Sequence, residues 1–246
     1  MVFDIIISVG PNDAEFIKNT LTYAKRNIID YRNIYLIGGS AAAAAAAGEN
    51  VFFVDECVFD FDVAQILGKN TRNGWYLQQL IKLYAWKYID NLSDFYLVLD
   101  ADTLFLKPTA FFIDNIPLYN TTNRQNHIPY FTHMQKLHPT FKKQDANISA
   151  VTNHMIFHKE ILREMMEMVE KYHEPKSLQF WEYFLMFVDK EHILHAGASE
   201  YELYFNYIYF YKKGAFLLRP LTYAECGSIP TNPVFDYVSC HHYMRS

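Results

Sequence analysis

Two short, nearly continuous apolar runs constrain the fold of this chain more than any other feature. Residues 4–9 read Asp-Ile-Ile-Ile-Ser-Val, and residues 95–99 read Phe-Tyr-Leu-Val-Leu. Neither alternates apolar with polar, so neither can be a strand with one face in water. Strands of this kind belong to sheets covered on both faces, which are mostly parallel. The first run ends at Gly10-Pro11-Asn12. A helix is then predicted over 14–26, where Phe16, Ile17, Leu21 and Ala24 recur at helical spacing. Strands follow over 33–37, closed by Gly38-Gly39, and over 51–54. A second helix is predicted over 75–89, with Leu77, Leu80, Ile81, Tyr84, Ala85 and Tyr88 on one face. Strand and helix alternate, which predicts an α/β fold with a central, mostly parallel mixed sheet flanked by helices.

Further on, residues 103–106 read as extended and 151–157 as a strand. Helices are predicted over 159–171, 180–188 and 200–209, and short strands over 216–219 and 237–241. Residues 115–147 are polar, with prolines at 117, 129 and 139, and are expected to form a long irregular segment of functional use. Seven consecutive alanines occupy 41–47. Alanine is the best helix former. The run is bounded by glycines in a chain that is otherwise not low-complexity, so it is read as standing in for a mobile loop, and no function is drawn from it.

Composition narrows the class. The 246 residues include 27 acidic and 22 basic side chains, a formal net charge of −5, with 51% hydrophobic residues. That is a globular chain with enough apolar material for a sizeable core, read as one domain over 1–246. A mildly acidic balance argues against nucleic acid as the main partner, because phosphate backbones need clustered Lys and Arg. Cys57, Cys226 and Cys240 lie far apart with no CxxC pair, so neither a disulfide framework nor a zinc site is expected. No apolar run is long enough to span a membrane, and the first residues lack the pattern of a signal peptide. The expected location is cytoplasmic. Oligomeric state is left open.

The chemistry concentrates at Leu97-Val98-Leu99-Asp100-Ala101-Asp102-Thr103-Leu104. A buried strand runs straight into two carboxylates spaced i and i+2, and at that spacing strand side chains point the same way. In open α/β sheets, ligands bind beyond the carboxyl ends of the strands. Two anionic oxygen donors there suit Mg²⁺ or Mn²⁺, with substrate phosphates completing the shell. The cation would neutralise charge on a departing diphosphate. Most isolated Asp-X-Asp triplets are turn or capping residues, but the apolar strand before this one and the extended segment after it favour the metal site.

Leu-Asp-Ala-Asp-Thr after a buried strand resembles the DXD signature of GT-A-fold glycosyltransferases, which use nucleotide-sugar donors with Mn²⁺ or Mg²⁺. The resemblance extends over nearly the whole chain. The loop at Gly10-Pro11-Asn12-Asp13 is similar to the first nucleotide-approaching loop of that fold. Residues 74–83 match the helix that carries a basic residue toward the donor, here Lys82. Thr152-Asn153-His154-Met155-Ile156-Phe157 resembles a later strand with substrate contacts. Ser199-Glu200-Tyr201-Glu202 resembles an acidic helix start near the reacting sugar. Val238-Ser239-Cys240-His241-His242-Tyr243 resembles the segment whose histidine completes the metal site. The likeness is nearest to small glycosyltransferases of bacteria and large DNA viruses, in which case the location would be the host cytoplasm for a viral chain. The Gly-X-X-Lys-Pro-Trp continuation of the family-8 type does not follow His241.

The resemblance implies transfer of a sugar from a UDP- or GDP-linked donor to a hydroxyl of a glycan, protein or lipid-linked acceptor. The implied metal ligands are Asp100, Asp102 and His241. Donor binding falls to Gly10, Asn12, Asp55, Lys82, Asp100 and Ala101, mainly within 1–110. Acceptor binding falls to Asn153, His154 and Glu182, mainly within 111–246. Adjacent strand residues face opposite ways, so only one of His241 and His242 reaches the metal, and the family pattern selects His241. Glu200 and Glu202 diverge on a helix by roughly 200°. Ser199 with Glu202 reads as a capping box, which leaves Glu200 as the candidate catalytic base. Glu182 lies among Phe180, Trp181 and Tyr183, aromatics that either stack on a sugar or fill the core. Asp55, beyond the third strand, is a ribose or base ligand or an exposed loop acid. His133 and His138 contact the acceptor or are solvated. Two other readings stand beside the transferase. One is a non-catalytic binder of nucleotide sugar or glycan. The other is a sugar-1-phosphate nucleotidyltransferase, which the loop at 10–13 disfavours because it lacks a glycine-rich, basic signature.

Overall fold

The first apolar run is a strand buried along its whole length, β1 (Phe3–Ser8). The computed structural model describes residues 1–123, 126–232 and 234–245. After β1 the chain forms α1 (Ile17–Asn27), β2 (Tyr31–Gly38), α2 (Ala41–Ala45), β3 (Val51–Asp55), α3 (Val63–Leu67) and α4 (Asn73–Tyr88). The second apolar run is β4 (Phe95–Asp100), followed by β5 (Thr103–Phe105), β6 (Phe112–Ile113), β7 (Ile116–Tyr119) and α5 (Ile128–Leu137). The remainder is β8 (His154–His158), α6 (Lys159–Tyr172), α7 (Phe180–Met186), α8 (Glu200–Tyr211), β9 (Leu217–Leu218), β10 (Tyr223–Glu225) and β11 (Tyr237–Ser239).

The main sheet has the order β3-β2-β1-β4-β8, with β1 to β4 parallel and β8 antiparallel to β4. This is the mostly parallel α/β arrangement that the apolar runs predict. Strand order reverses at β1, whose neighbours are β2 on one side and β4 on the other. In open sheets the ligand crevice forms outside the carboxyl ends at such a switch point. The register places Ser8 opposite Asp100, so the loop after β1 and the Asp100-Ala101-Asp102 turn leave the sheet side by side. A second sheet, β10-β11-β5, grows from that turn, with Thr103 opposite Ser239. A third joins β6, β7 and β9.

The helices cover the sheet according to their patterning. Helix α6 buries Leu162, Met165, Met166 and Val169, a single stripe, and packs on β8, α7 and α8. Helices α4 and α8 are buried on nearly every side, as expected of elements packed between other layers. At the amino edge, Asp4 is fully buried. Its carboxylate accepts hydrogen bonds from Arg32 Nε and Nη2 at 3.0 and 2.6 Å, and from the backbone N–H groups of Asn33 and Ser93 at 3.1 and 2.8 Å. A buried carboxylate survives only with such complete pairing.

Three departures from the sequence expectations are instructive. The alanine run is helical over Ala41–Ala45, because Ser40 Oγ accepts from Ala43 N at 3.1 Å and caps a segment of high helix propensity. The segment 115–147 holds β7 and α5. Pro129 occupies the first turn of α5, where a missing N–H costs nothing. Tyr130, Phe131, Met134 and Leu137 of α5 face the core. His133 is on that same face and buried, so it is not a solvated loop residue. No helix among the described residues is long and apolar enough to cross a membrane.

Two core histidines make stability depend on pH. His133 Nε2 lies 2.7 Å from Phe184 O, and His154 Nε2 lies 2.9 Å from Asn120 Oδ1. Burial pushes their pKa values down to about 4 and about 3 respectively. The unfolded imidazoles take up protons below their ordinary value of about 6.5, while the native ones stay neutral. Their contribution is therefore intact above that value and is lost as pH falls toward about 4. The slope approaches about 1.4 kcal/mol per pH unit for each histidine. Urea unfolding at pH 7 and at about pH 5 should show this decline, and His133→Gln should make it shallower.

Candidate active site

The carboxyl edge of β4 is organised around a buried lysine. Lys82 projects from α4, a helix with almost no exposed face, and its side chain is only 8% exposed. Its ammonium donates to Asp100 Oδ1 at 2.6 Å, to Glu200 Oε1 at 2.7 Å and to the Tyr201 hydroxyl at 3.2 Å. A lysine has three N–H donors, and all are used here. Tyr201 OH in turn donates to Asp100 Oδ1 at 2.8 Å. Burial alone would lower the lysine pKa, but the carboxylates of Asp100 and Glu200 outweigh it and hold it above its ordinary value. Lys82 is thus a fixed positive charge. Burial also pushes Glu200 up from its usual range, against the pull of Lys82.

Neighbouring elements fix the cluster. Gln79, one turn before Lys82, accepts from Glu200 N at 3.1 Å and so docks the start of α8 on α4. Tyr96 OH donates to Lys82 O at 3.1 Å. Asn153 Nδ2 donates to Asp100 Oδ2 at 3.3 Å, and Asn153 O accepts from Asp100 N at 3.0 Å. Asn153 reaches this position with φ of 63°, a left-handed conformation that asparagine tolerates.

Asp102 and His241 form a second group. His241 Nδ1 is 2.8 Å from Asp102 Oδ2, and a carboxylate can only accept, so Nδ1 carries the proton. That bond raises the imidazole pKa above its ordinary value, against the effect of burial. Cys240 N donates to Asp102 O at 2.9 Å, which anchors the segment carrying His241. Asp102 and His241 side chains are 14% and 19% exposed, compared with 25% for Asp100. His242 is exposed, and of the adjacent histidines it is His241 that bonds to Asp102.

The expected three-ligand set of Asp100, Asp102 and His241 is not assembled. Among the described residues no group of three or more His, Cys, Asp and Glu side chains converges on one point. The i, i+2 rule holds only within a strand, and β4 ends at Asp100, with Ala101 and Asp102 in a turn. Asp100 faces Lys82, and Asp102 faces His241. The Asp102–His241 pair offers one oxygen and one nitrogen donor. That set fits a divalent cation once the Nδ1 proton shared with Asp102 is given up, the remaining ligands coming from substrate phosphates and water.

Other expected site residues divide between the crevice and the core. Gly10 and Asn12 lie in the loop beyond β1. A Cβ on Gly10 would meet Gln78 Nε2 at 2.9 Å, so a side chain there would push the end of that glutamine aside. Ala101 is 5% exposed, and its carbonyl accepts from Thr20 Oγ1 at 2.6 Å. Asp55 is at the same edge but two strands from β1, about 10 Å away. It is exposed and accepts from Cys57 N at 2.9 Å. His154 is 2% exposed and enclosed by Phe105, Phe111 and Tyr237, so its imidazole belongs to the core beneath the sheet edge. Glu182 caps its own helix, accepting from Gln179 N at 2.8 Å.

Glu200 is 4% exposed and bonded to Lys82, so the structure places it as the counter-ion of that lysine. Ser199 Oγ caps α8 by accepting from Glu202 N, but the Glu202 carboxylate does not complete a capping box. It accepts instead from Ser149 Oγ, Ala150 N and Asn206 Nδ2. The sequence reading missed Gln79 and the hydroxyl role of Tyr201. The signal for Gln79 was its spacing of three from Lys82 on one helix.

Residues 40–226 match a family described as "Family of unknown function (DUF6492)", and the chain belongs to that family. No curated protein sequence matches it. Among solved structures the chain is similar to mouse xyloside xylosyltransferase 1 in its apo form. Identity there is 11%, 97% of each chain is covered, and the TM-score is 0.48. It is also similar to galactosyltransferase LgtC in complex with donor and acceptor sugar analogues. Identity there is 14%, with 96% of this chain and 86% of that chain covered and a TM-score of 0.49.

Removing the buried ammonium should be costly. Lys82→Met leaves two carboxylates facing each other without a cation, and breaking such a pair from one side costs about 3–5 kcal/mol. Glu200 should then hold its proton more tightly in the native state than in the unfolded chain. Stability from a raised carboxyl pKa is present at low pH, so the deficit should narrow as the pH is lowered. Urea midpoints of the variant across a pH series check both the loss and its direction.

Proposed function

We propose that this protein is a divalent-metal-dependent glycosyltransferase that takes its sugar from a nucleoside-diphosphate donor and passes it to a hydroxyl acceptor. The observation that carries this reading is the Asp102–His241 pair at the switch-point crevice, backed by the buried Lys82 cluster. Asp102 and His241 would hold Mn²⁺ or Mg²⁺, and the cation would neutralise the departing diphosphate.

The chain's own residues have separate tasks in this reading. Asp100 keeps a partly exposed carboxylate whose orientation is set by Lys82, Tyr201 and Asn153, and it accepts a hydrogen bond from a donor hydroxyl. Lys82 has no N–H left for phosphate, so it acts by fixing Asp100 and Glu200. The loop at 10–13 closes the β1 side of the crevice. Donor binding is thus assigned mainly to 1–110. The acceptor approaches from the 111–246 side, where Asn153 lines the edge. With Glu200 committed to Lys82, the proton released by the acceptor passes most directly to the leaving phosphate, which favours retention of configuration.

A thermal-shift panel of UDP- and GDP-linked sugars, with and without Mn²⁺, tests the proposal. Ligand at a hundred times its Kd adds about 2.7 kcal/mol, roughly 5–10 °C for a chain of this size. One nucleotide sugar should give that shift only with Mn²⁺, and Asp102→Asn should abolish it. No shift with any nucleotide under either metal condition would remove the donor site.

A further inference from the structure

Beyond Cys240, which is buried with Leu104 and Val238, the segment that carries His241 has little apolar anchoring of its own. After β11 the chain passes Cys240 and His241 and makes one tight turn over His242–Met244. Tyr243 is 71% exposed and Met244 39%. Segments with so few buried contacts open easily unless something else holds them. Arg245 supplies that hold. Its Nε donates to Cys240 O at 2.7 Å, closing the turn on itself. Its Nη1 donates to Asn12 O at 3.3 Å, and Nη2 pairs with the Asp13 carboxylate. The guanidinium lies 4.3 Å from the centroid of the Phe16 ring. Each of its three nitrogens has its own acceptor, and two of those acceptors lie in the loop beyond β1.

We infer that Arg245 is a positioning residue that straps the C-terminal segment to the loop at 10–13 and so keeps His241 against Asp102. His241 sits between two anchors, the Cys240 N–H on Asp102 O and the Arg245 fork on residues 12 and 13. The strap joins the loop after β1 to the segment that carries His241, so displacement of that loop and displacement of His241 are one event. The geometry requires arginine. A lysine ammonium is a single point of charge and cannot serve three acceptors arranged around a planar fork.

The inference rests on the proposed function only for its metal, and the test separates the two. The Nδ1–H proton of His241, held on Asp102, gives an imidazole N–H resonance that is assigned by its absence in His241→Gln. That resonance should be sharp in the wild type and lost or broadened in Arg245→Ala. Arg245→Lys should fail to restore it, whereas a role of charge alone would allow rescue. In parallel, Mn²⁺ titration should show affinity falling about 10- to 100-fold in Arg245→Ala, the range expected when a support of a metal ligand is removed. A folded Arg245→Ala or Arg245→Lys protein with the wild-type resonance overturns the inference. So does loss of the resonance with unchanged Mn²⁺ affinity, in a protein where Asp102→Asn abolishes uptake. If the wild type takes up no Mn²⁺, the metal-dependent reading fails, and the resonance alone decides the role of Arg245.

Discussion

The arrangement of the carboxyl edge depends on one buried ammonium. Lys82 joins three elements that the sequence separates widely: α4, the end of β4 and the start of α8. Asp100 and Glu200 could not both remain ionised there without it, because like charges in a poorly hydrated space repel and lose hydration together. The lysine could not stay charged without them. The three groups are therefore stable only as a set. Gln79 and Tyr201 complete it, one by docking α8 on α4 and the other by bridging Lys82 to Asp100.

The two ends of the main sheet use the same chemistry to opposite effect. At the amino edge, Asp4 is sealed by Arg32 and by two backbone N–H groups, and nothing of it reaches solvent. At the carboxyl edge, Asp100 is held through one oxygen by Lys82 and Tyr201 and through the other by Asn153, yet a quarter of its side chain stays exposed. The first carboxylate fastens strands. The second is oriented by the protein and left available to something outside it. The reversal of strand order at β1 explains why the site lies there: the loops after β1 and β4 leave the sheet adjacent to each other, where open sheets place their ligands.

Much of the framework could be read from the sequence because it depends on local pattern. The continuous apolar runs specify β1 and β4, and the helical stripes specify α1 and α6, from neighbours a few residues apart. Helix α5 was hidden because Pro129 and a polar surround suggested a loop, while its apolar face becomes visible only against α8. At the site, Asp100 and Asp102 stood out by spacing, and His241 through the resemblance of its segment to the family pattern. Their division into two groups was not readable. It follows from β4 ending at Asp100 and from Lys82 and Glu200, 118 residues apart, meeting behind it. The burial of His154 was unreadable for the same reason. Its sequence neighbour Asn153 turns to Asp100, while the imidazole goes into a cage of aromatic rings that only the tertiary fold assembles.

A two-donor cation site has a consequence for the order of events on the proposed reading. One carboxylate oxygen and one imidazole nitrogen cannot fill the coordination shell of Mn²⁺ or Mg²⁺, and Asp100 is already committed to Lys82. The missing ligands must come from water or from the diphosphate. Replacing waters by a diphosphate that already carries negative charge is favourable, so the metal should bind more tightly when the donor is present. By linkage, the donor must then bind more tightly by the same factor when the metal is present. After transfer, the nucleoside diphosphate retains the phosphate oxygens that made the site complete, so product and metal would hold each other in the crevice. Release of that pair, not the sugar-transfer step, would then be the slow event, and the loop at 10–13, tied through Arg245 to the segment carrying His241, lies where such release would be governed.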